Sequence, residues 1–282
     1  MAASSTISRP ERASLRRALC RVLCRAFLAL LACFIAASAR AAPAFTDGGA
    51  IEVAEIIDGA TLRLKAERVL RLVDIDVPAR GALAADAKNT LAALIEGQPL
   101  RVKFAGNAAD RQGRMLGELY AGDFWVQGEL LRRGLARVAG TADNRIGIAE
   151  MLVLERQARR YRRGLWAEPA YAIVPAAEAG RHAGGFALVT GTVARVVNNS
   201  SGMLLVFGAD QHSGFVLSLA PDVVKLCRAG GLDPAALAGK TVLTRGYIDG
   251  TRRPTIAITF PEQIEILKPK KAAPKSLPGP PR

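Results

Sequence analysis

The chain has 282 residues, half of them apolar, with 39 basic and 25 acidic side chains and a formal charge of +14. That is enough material for one or two domains with real cores. The charge is not gathered as on a nucleic-acid-binding face: residues 1–41 carry seven Arg and one Glu, residues 268–282 carry five basic groups and no acid, and the middle is left near +3.

The chain opens on an export pattern. Six arginines between Arg9 and Arg25 precede an apolar run, Ala26 to Ala37, and then Ala37-Ser38-Ala39 and Ala39-Arg40-Ala41. A basic stretch, a short apolar core and a small-x-small site make a secretory signal peptide over 1–41, and the run is short for a membrane span. The expected destination is the periplasm or the outside of the cell, with no stable membrane association after cleavage. The alternative is an anchor through an uncleaved N-terminal segment. Cys20, Cys24 and Cys33 lie inside this segment, so the mature chain keeps Cys227 alone and can form no internal disulfide. The apolar surroundings of Cys227 make it a packed small hydrophobe.

Alternating runs then predict strands over 51–57, 61–65 and 69–75, with Asp58-Gly59 as a hairpin signal and Pro78 as the stop. Leu83, Ala87, Leu91 and Leu94 share a helical face over 83–96, closed by Gly97. Strands over 100–104 and 115–120 flank the polar loop 110–114. A short helix over 126–133 and a longer one over 148–163 follow. Five strands with helices interleaved and appended predict an α+β chain led by a small OB-type barrel, residues 51–172. An Ala/Gly/Pro-rich linker covers 173–185. Three strands, a helix and two strands over 186–267 repeat the OB order, so a second OB-like β-barrel is expected. The tail, 268–282, is basic and Pro-rich, a composition that favours disorder.

Three ordered segments carry chemistry: Asp58-Gly59-Ala60-Thr61, Arg71-Leu72-Val73-Asp74-Ile75-Asp76-Val77-Pro78-Ala79, and Asp110-Arg111-Gln112-Gly113-Arg114. With the run 126–138 and the closing Glu155-Arg156-Gln157-Ala158-Arg159 and Gly164-Leu165-Trp166, residues 51–172 resemble the staphylococcal nuclease (thermonuclease) family. The resemblance implies an OB-fold barrel and a Ca²⁺-dependent phosphodiesterase acting on DNA and RNA. It implies that Arg71 and Arg114 bind phosphate in fork geometry. It makes Asp76 a metal carboxylate and lends the Val77 carbonyl to the same ion. Asp58 matches an aspartate outside the ligand set. Ala60 stands where the family has its other metal aspartate, and Ala79 where it has the glutamate that aligns or deprotonates water.

Two readings follow. Loss of a positioned base costs about 10²–10⁴ in rate, and loss of a charged ligand weakens a hard cation's site. The favoured reading is therefore a phosphate- or nucleic-acid-binding, nuclease-like protein with lost or strongly impaired catalysis and no cofactor. The alternative is an active Ca²⁺-dependent nuclease with a rearranged carboxylate set on Asp58, Asp74 and Asp76, in which Asp74 shares a strand face with Asp76. Both need a bend near the strand end, because Arg71 and Asp76 are five apart and strict alternation separates them. Whether the chain is an enzyme is left open by these residues.

The other candidates carry less. Arg156, Arg159, Arg160, Arg162 and Arg163 at a helix end read first as a solvated face that complements the dipole. Arg195, Arg245, Arg252 and Arg253 could line a groove on the second barrel, with Phe207, Phe215 and Tyr247 read as core. Tyr120, Trp125 and Trp166 are also read as core. Aromatics are 5 % of the chain, so the interleaved stacking surface of a single-strand binder is not evident. His182 and His212 lack ligand spacing.

Overall fold

The computed structural model describes residues 45–208 and 214–268. The expected signal, all but the first residue of the tail and His212 lie outside them. The first barrel comprises β1 (Thr46–Ile51), β2 (Val53–Asp58), β3 (Thr61–Leu64), β4 (Val69–Leu72), β6 (Leu100–Phe104) and β7 (Met115–Ala121). Their order is β1-β6-β7-β4-β3-β2. Since β1 and β2 are one segment interrupted at Glu52, the two ends of that order belong to one bent strand and the sheet closes. Strands β4 and β7 run parallel, and the remaining pairs are antiparallel.

Helix α1 (Ala82–Ile95) crosses between β4 and β6. It buries Ala87, Leu91 and Ile95, one face at four-residue spacing, and ends before Gly97 at φ 66°. Leu91, fully enclosed, accounts for about 2–5 kcal/mol if cut to alanine. Gly59, in the β2–β3 turn, lies so close to α1 that an added Cβ would sit 2.7 Å from the Ala87 Cβ, so the hairpin packs down only with glycine there. Further along come β8 (Phe124–Trp125), α2 (Val126–Arg132), β9 (Arg137–Val138) and α3 (Ile148–Arg160).

The strand expected over 69–75 is broken. It stops at Leu72, and β5 (Ile75–Asp76) leaves the barrel to pair with β9. The break is at Asp74, whose φ is +62°. This is the left-handed region, which aspartate tolerates better than most residues. The bend expected between Arg71 and Asp76 is therefore made by one residue.

The second barrel comprises β11 (Phe186–Asn199), β12 (Gly202–Phe207), β13 (Val216–Leu219), β14 (Thr241–Asp249) and β15 (Thr255–Ile258), with α4 (Pro221–Ala229) between β13 and β14. The order β11-β12-β13-β15-β14 closes through β11–β14 pairing. Its parallel pair, β13–β15, occupies the topological place of β4–β7, so the two barrels repeat one OB plan. Cys227 is buried in this core, as its apolar helix predicted.

Residues 173–185 are tied down along their length. β10 (Val174–Pro175) pairs in parallel with β11, a 3₁₀ turn spans Ala176–His182, and Val174 and Ala179 are buried in the second core. Composition announced a linker, but two apolar side chains at the right spacing were enough to seat it. Both barrels belong to one compact unit that starts at Phe45. Phe260, from the second barrel's end, enters the first core, and Arg145 grips Glu262 with two hydrogen bonds of 2.7 and 3.1 Å.

The deepest joint is Arg245. Expected along an open groove, it is 2 % exposed. It donates to Glu155 at 2.7 Å, to Glu265 at 2.6 Å and to the Val138 carbonyl at 3.4 Å. Burial works against its charge, and the two carboxylates outweigh it. Glu155 also accepts from the Val138 N–H at 2.7 Å, so β9 is held by side chains on both its N–H and its C=O. The arginines at the end of α3 are drawn into the same fabric: Arg156 pairs with Glu265, Arg159 with Glu155, and Arg163 donates to the Arg132 carbonyl.

Candidate nucleic-acid site

Arg71 lies on β4, opposite Thr61 of β3. Its guanidinium donates to the Thr61 hydroxyl at 3.0 Å and stands 3.5 Å from a carboxylate oxygen of Asp58. That same oxygen accepts the Ala60 N–H at 2.7 Å, the local turn that an Asp-Gly hairpin favours. Asp58 therefore shapes the hairpin and steadies Arg71. The Arg71 side chain is about a quarter exposed, open enough to meet an anion.

Arg114 lies in the loop that leads into the partner strand: Arg71 pairs with Leu116 across β4–β7, and Arg114 is the last residue before β7 begins. Its loop is closed by Asp110, which accepts from the backbone of Gln112 and Arg114 and from the Arg114 Nε at 2.6 Å. Asp110 thus holds Arg114 folded on its own loop, and a ligand phosphate would compete with that carboxylate.

Asp76 does not stand free for a cation. Its carboxylate accepts from Arg137 Nε at 2.8 Å across β5–β9, with both side chains largely covered. Arg137 is the site residue that sequence reasoning missed. It is 61 positions away, and only the two-residue β5–β9 ladder makes them neighbours. Val77 follows, half-buried against the first core, and Pro78 is buried. Ala79 is exposed, and Ala60 is fully enclosed.

The expectation that Asp74 joins Asp76 on one face is corrected. The left-handed turn rotates Asp74 inward, where it is 5 % exposed and neither carboxylate oxygen has a hydrogen-bond partner. Burial pushes its carboxyl from the ordinary 3.8 up to about 7, and the nearby Thr141 backbone, short of a well-formed hydrogen bond, pulls the other way. Its electrostatic neighbour is Glu118, also buried. Burial raises Glu118 well above the usual carboxylate range, the Trp125 indole N–H at 2.7 Å pulls it back, and the Asp74 charge raises it again.

Calcium does not fit the residues present. A hard dication needs several oxygen ligands. Asp76 is taken by an arginine, Asp74 faces the core, and alanines occupy the two remaining positions. Among the described residues no three His, Cys, Asp or Glu side chains come together as a metal site. What the arrangement offers is a pair of guanidiniums that can receive phosphate oxygens.

Comparison with known proteins agrees with the barrel. The family model described as staphylococcal nuclease homologue matches residues 69–168. A micrococcal nuclease of Shigella flexneri is 34 % identical over 134 residues, 42 % of this chain and 74 % of that protein. Protein ParB of Escherichia coli is 34 % identical over 142 residues, 44 % of this chain and 75 % of its own. The staphylococcal-like nuclease CAN1 of Arabidopsis thaliana is 35 % identical over 99 residues, 35 % of this chain and 29 % of its own.

Proposed function

Because the chain belongs to the staphylococcal nuclease family, we propose that its first barrel binds the phosphates of nucleic acid or nucleotides and that its phosphodiesterase activity is lost or strongly impaired. The observation that carries this reading is the Asp76–Arg137 pair at 2.8 Å. Of the carboxylates that the resemblance assigns to metal binding and water activation, Asp76 alone is retained, and an internal cation neutralises it. A missing base lowers the rate by about 10²–10⁴, and a missing metal removes several kcal/mol of charge stabilisation besides. Arg71 and Arg114 keep the parts that need neither. Export with cleavage is part of the same proposal and rests on the arginine-rich start, the apolar run and the small-residue sites before Ala42.

The test is an assay with single- and double-stranded DNA and with RNA, in calcium and in chelator. The expected result is no calcium-dependent cleavage. Robust cleavage that requires calcium and disappears in Asp76→Ala would overturn the proposal. Calorimetry with a nucleoside bisphosphate in chelator should register binding to the wild type and none to Arg71→Ala. N-terminal sequencing of the exported protein should find a start just after residue 39 or 41.

A further inference from the structure

Arg137 is held by more than Asp76. Its guanidinium lies 4.6 Å from the ring centre of Phe186 and 5.3 Å from that of Tyr171, a cation between two aromatic faces. Phe186 opens the second barrel and pairs across β11–β14 with Tyr247. Their rings meet nearly at right angles with centres 5.5 Å apart. Tyr247 is 69 % exposed, the highest value for a large apolar or aromatic side chain among the described residues.

Strand geometry explains why this ring is in water. Arg245 and Asp249 share the Tyr247 face of β14. Arg245 reaches the Val138 carbonyl, so this face is turned toward the first barrel. Cover ends at Tyr247, whose ring meets Phe186 edge to face. Phe186 is itself engaged by Arg137, so Tyr247 is the member of the group with surface left to offer. Three successive contacts of 2.8, 4.6 and 5.5 Å join Asp76 to it.

Resting on the phosphate-binding reading above, we propose that Tyr247, backed by Phe186, is a stacking platform for an unpaired base of single-stranded nucleic acid. An aromatic face accepts any base, and duplex hides base faces in its own stack. The charge suits a nucleic-acid strand: exposed Arg252 lies on the turn after β14, close in sequence to Tyr247. Asp249 on the same strand is occupied locally, accepting from the Thr251 backbone N–H at 2.8 Å. In this arrangement Asp76 anchors Arg137, Arg137 fixes Phe186, and Phe186 sets the Tyr247 ring before a strand arrives.

Fluorescence anisotropy with a labelled oligothymidylate of about twelve nucleotides tests this, with an abasic oligomer of equal length as the control. Tyr247→Ala should weaken oligothymidylate binding by about 5- to 100-fold. Tyr247→Phe should bind as the wild type does, and the abasic oligomer should not distinguish wild type from Tyr247→Ala. Oligothymidylate affinity unchanged in Tyr247→Ala, while Arg71→Ala binds weakly, overturns the platform and leaves the phosphate clamp standing. Weakening in Tyr247→Ala with none in Arg71→Ala supports the platform and sinks the clamp. Equal loss on thymidylate and abasic oligomers shows that the ring does not act by stacking and overturns the proposal. No binding of either oligomer by the wild type overturns both.

Discussion

Asp74 and Asp76 are two residues apart in sequence and differ in every electrostatic respect. Asp76 has a guanidinium at 2.8 Å, itself fixed between aromatic rings. Asp74 is buried with no hydrogen-bond partner and with a second buried carboxyl, Glu118, as its neighbour. The backbone turn at Asp74 creates both situations, sending one carboxylate into the core and the next to the β5–β9 ladder. The lesson is that a carboxylate count says little about a metal site. Position relative to one left-handed residue decides whether an aspartate meets solvent, a cation or hydrocarbon.

The largest test of the Asp76 side removes what anchors its partner strand. Arg245→Ala would take from enclosed Glu155 the more deeply buried of its two guanidiniums, leaving Arg159, and free the Val138 carbonyl. Breaking a buried pair in this way costs about 3–5 kcal/mol, to be read from urea unfolding. A loss below about 1 kcal/mol, the range of an exposed pair, would show that β9 is held by something else and would detach the Asp76 pair from the second barrel.

The next test addresses Asp74, and its sign follows from linkage. The folded value, about 7, lies above the ordinary 3.8, so the folded state holds its proton more tightly than the unfolded chain. The contribution is fully present below pH ~4 and is lost as pH rises through about 7. Asp74→Asn mimics the protonated form. Relative to wild type it should be about neutral at pH 4 and more stable by roughly 4 kcal/mol at pH 8. Glu118→Gln should shift stability in the same direction, and the two changes should not add, because the Asp74 charge raises Glu118. A difference between wild type and Asp74→Asn that stays flat from pH 4 to pH 8 would mean that Asp74 finds a partner in solution.

Most of the architecture was legible from the chain, because it is written in local terms. The Asp58-Gly59 hairpin, the Ala87–Leu91 helix face and the Gly97 stop each follow from neighbouring residues, and the OB order of both barrels follows from the succession of elements. What escaped depends on pairing distant in sequence. Arg137 meets Asp76 only through a ladder of two residue pairs. Tyr247, read as core, is exposed because Arg245, two positions earlier, is the residue that takes the buried place on their common face. The alternation Arg245, Tyr247, Asp249 carried that signal. It could not say where the neighbouring barrel ends. Asp74 was misplaced because alternation assumes an unbroken strand, and the aspartate type that permits a left-handed turn does not require one.

A smaller effect is expected from Arg137→Met. The substitution keeps apolar bulk against Phe186 and Tyr171 while removing the hydrogen bond to a partly exposed Asp76. Stability should fall by about 1–2 kcal/mol. Calcium-dependent cleavage should not appear, because Ala60 and Ala79 still supply no carboxylate. Strong cleavage in this variant, read on single-stranded DNA with and without chelator, would mean that Arg137 alone restrains a competent site.

The smallest effect belongs to a third aspartate, Asp58, which lies between the two extremes. It is half-exposed, closes its own turn through the Ala60 N–H at 2.7 Å, and faces Arg71 at 3.5 Å. Two causes are thus combined in one side chain, and two substitutions separate them. Asparagine keeps an oxygen for the turn and drops the charge, whereas alanine drops both. If the turn matters most, Asp58→Ala should lose about 0.5–1 kcal/mol and Asp58→Asn only a few tenths. Equal losses in thermal unfolding would assign the effect to the ion pair. That result would also make Arg71, and hence the phosphate clamp, more dependent on an internal anion than the 3.5 Å separation indicates.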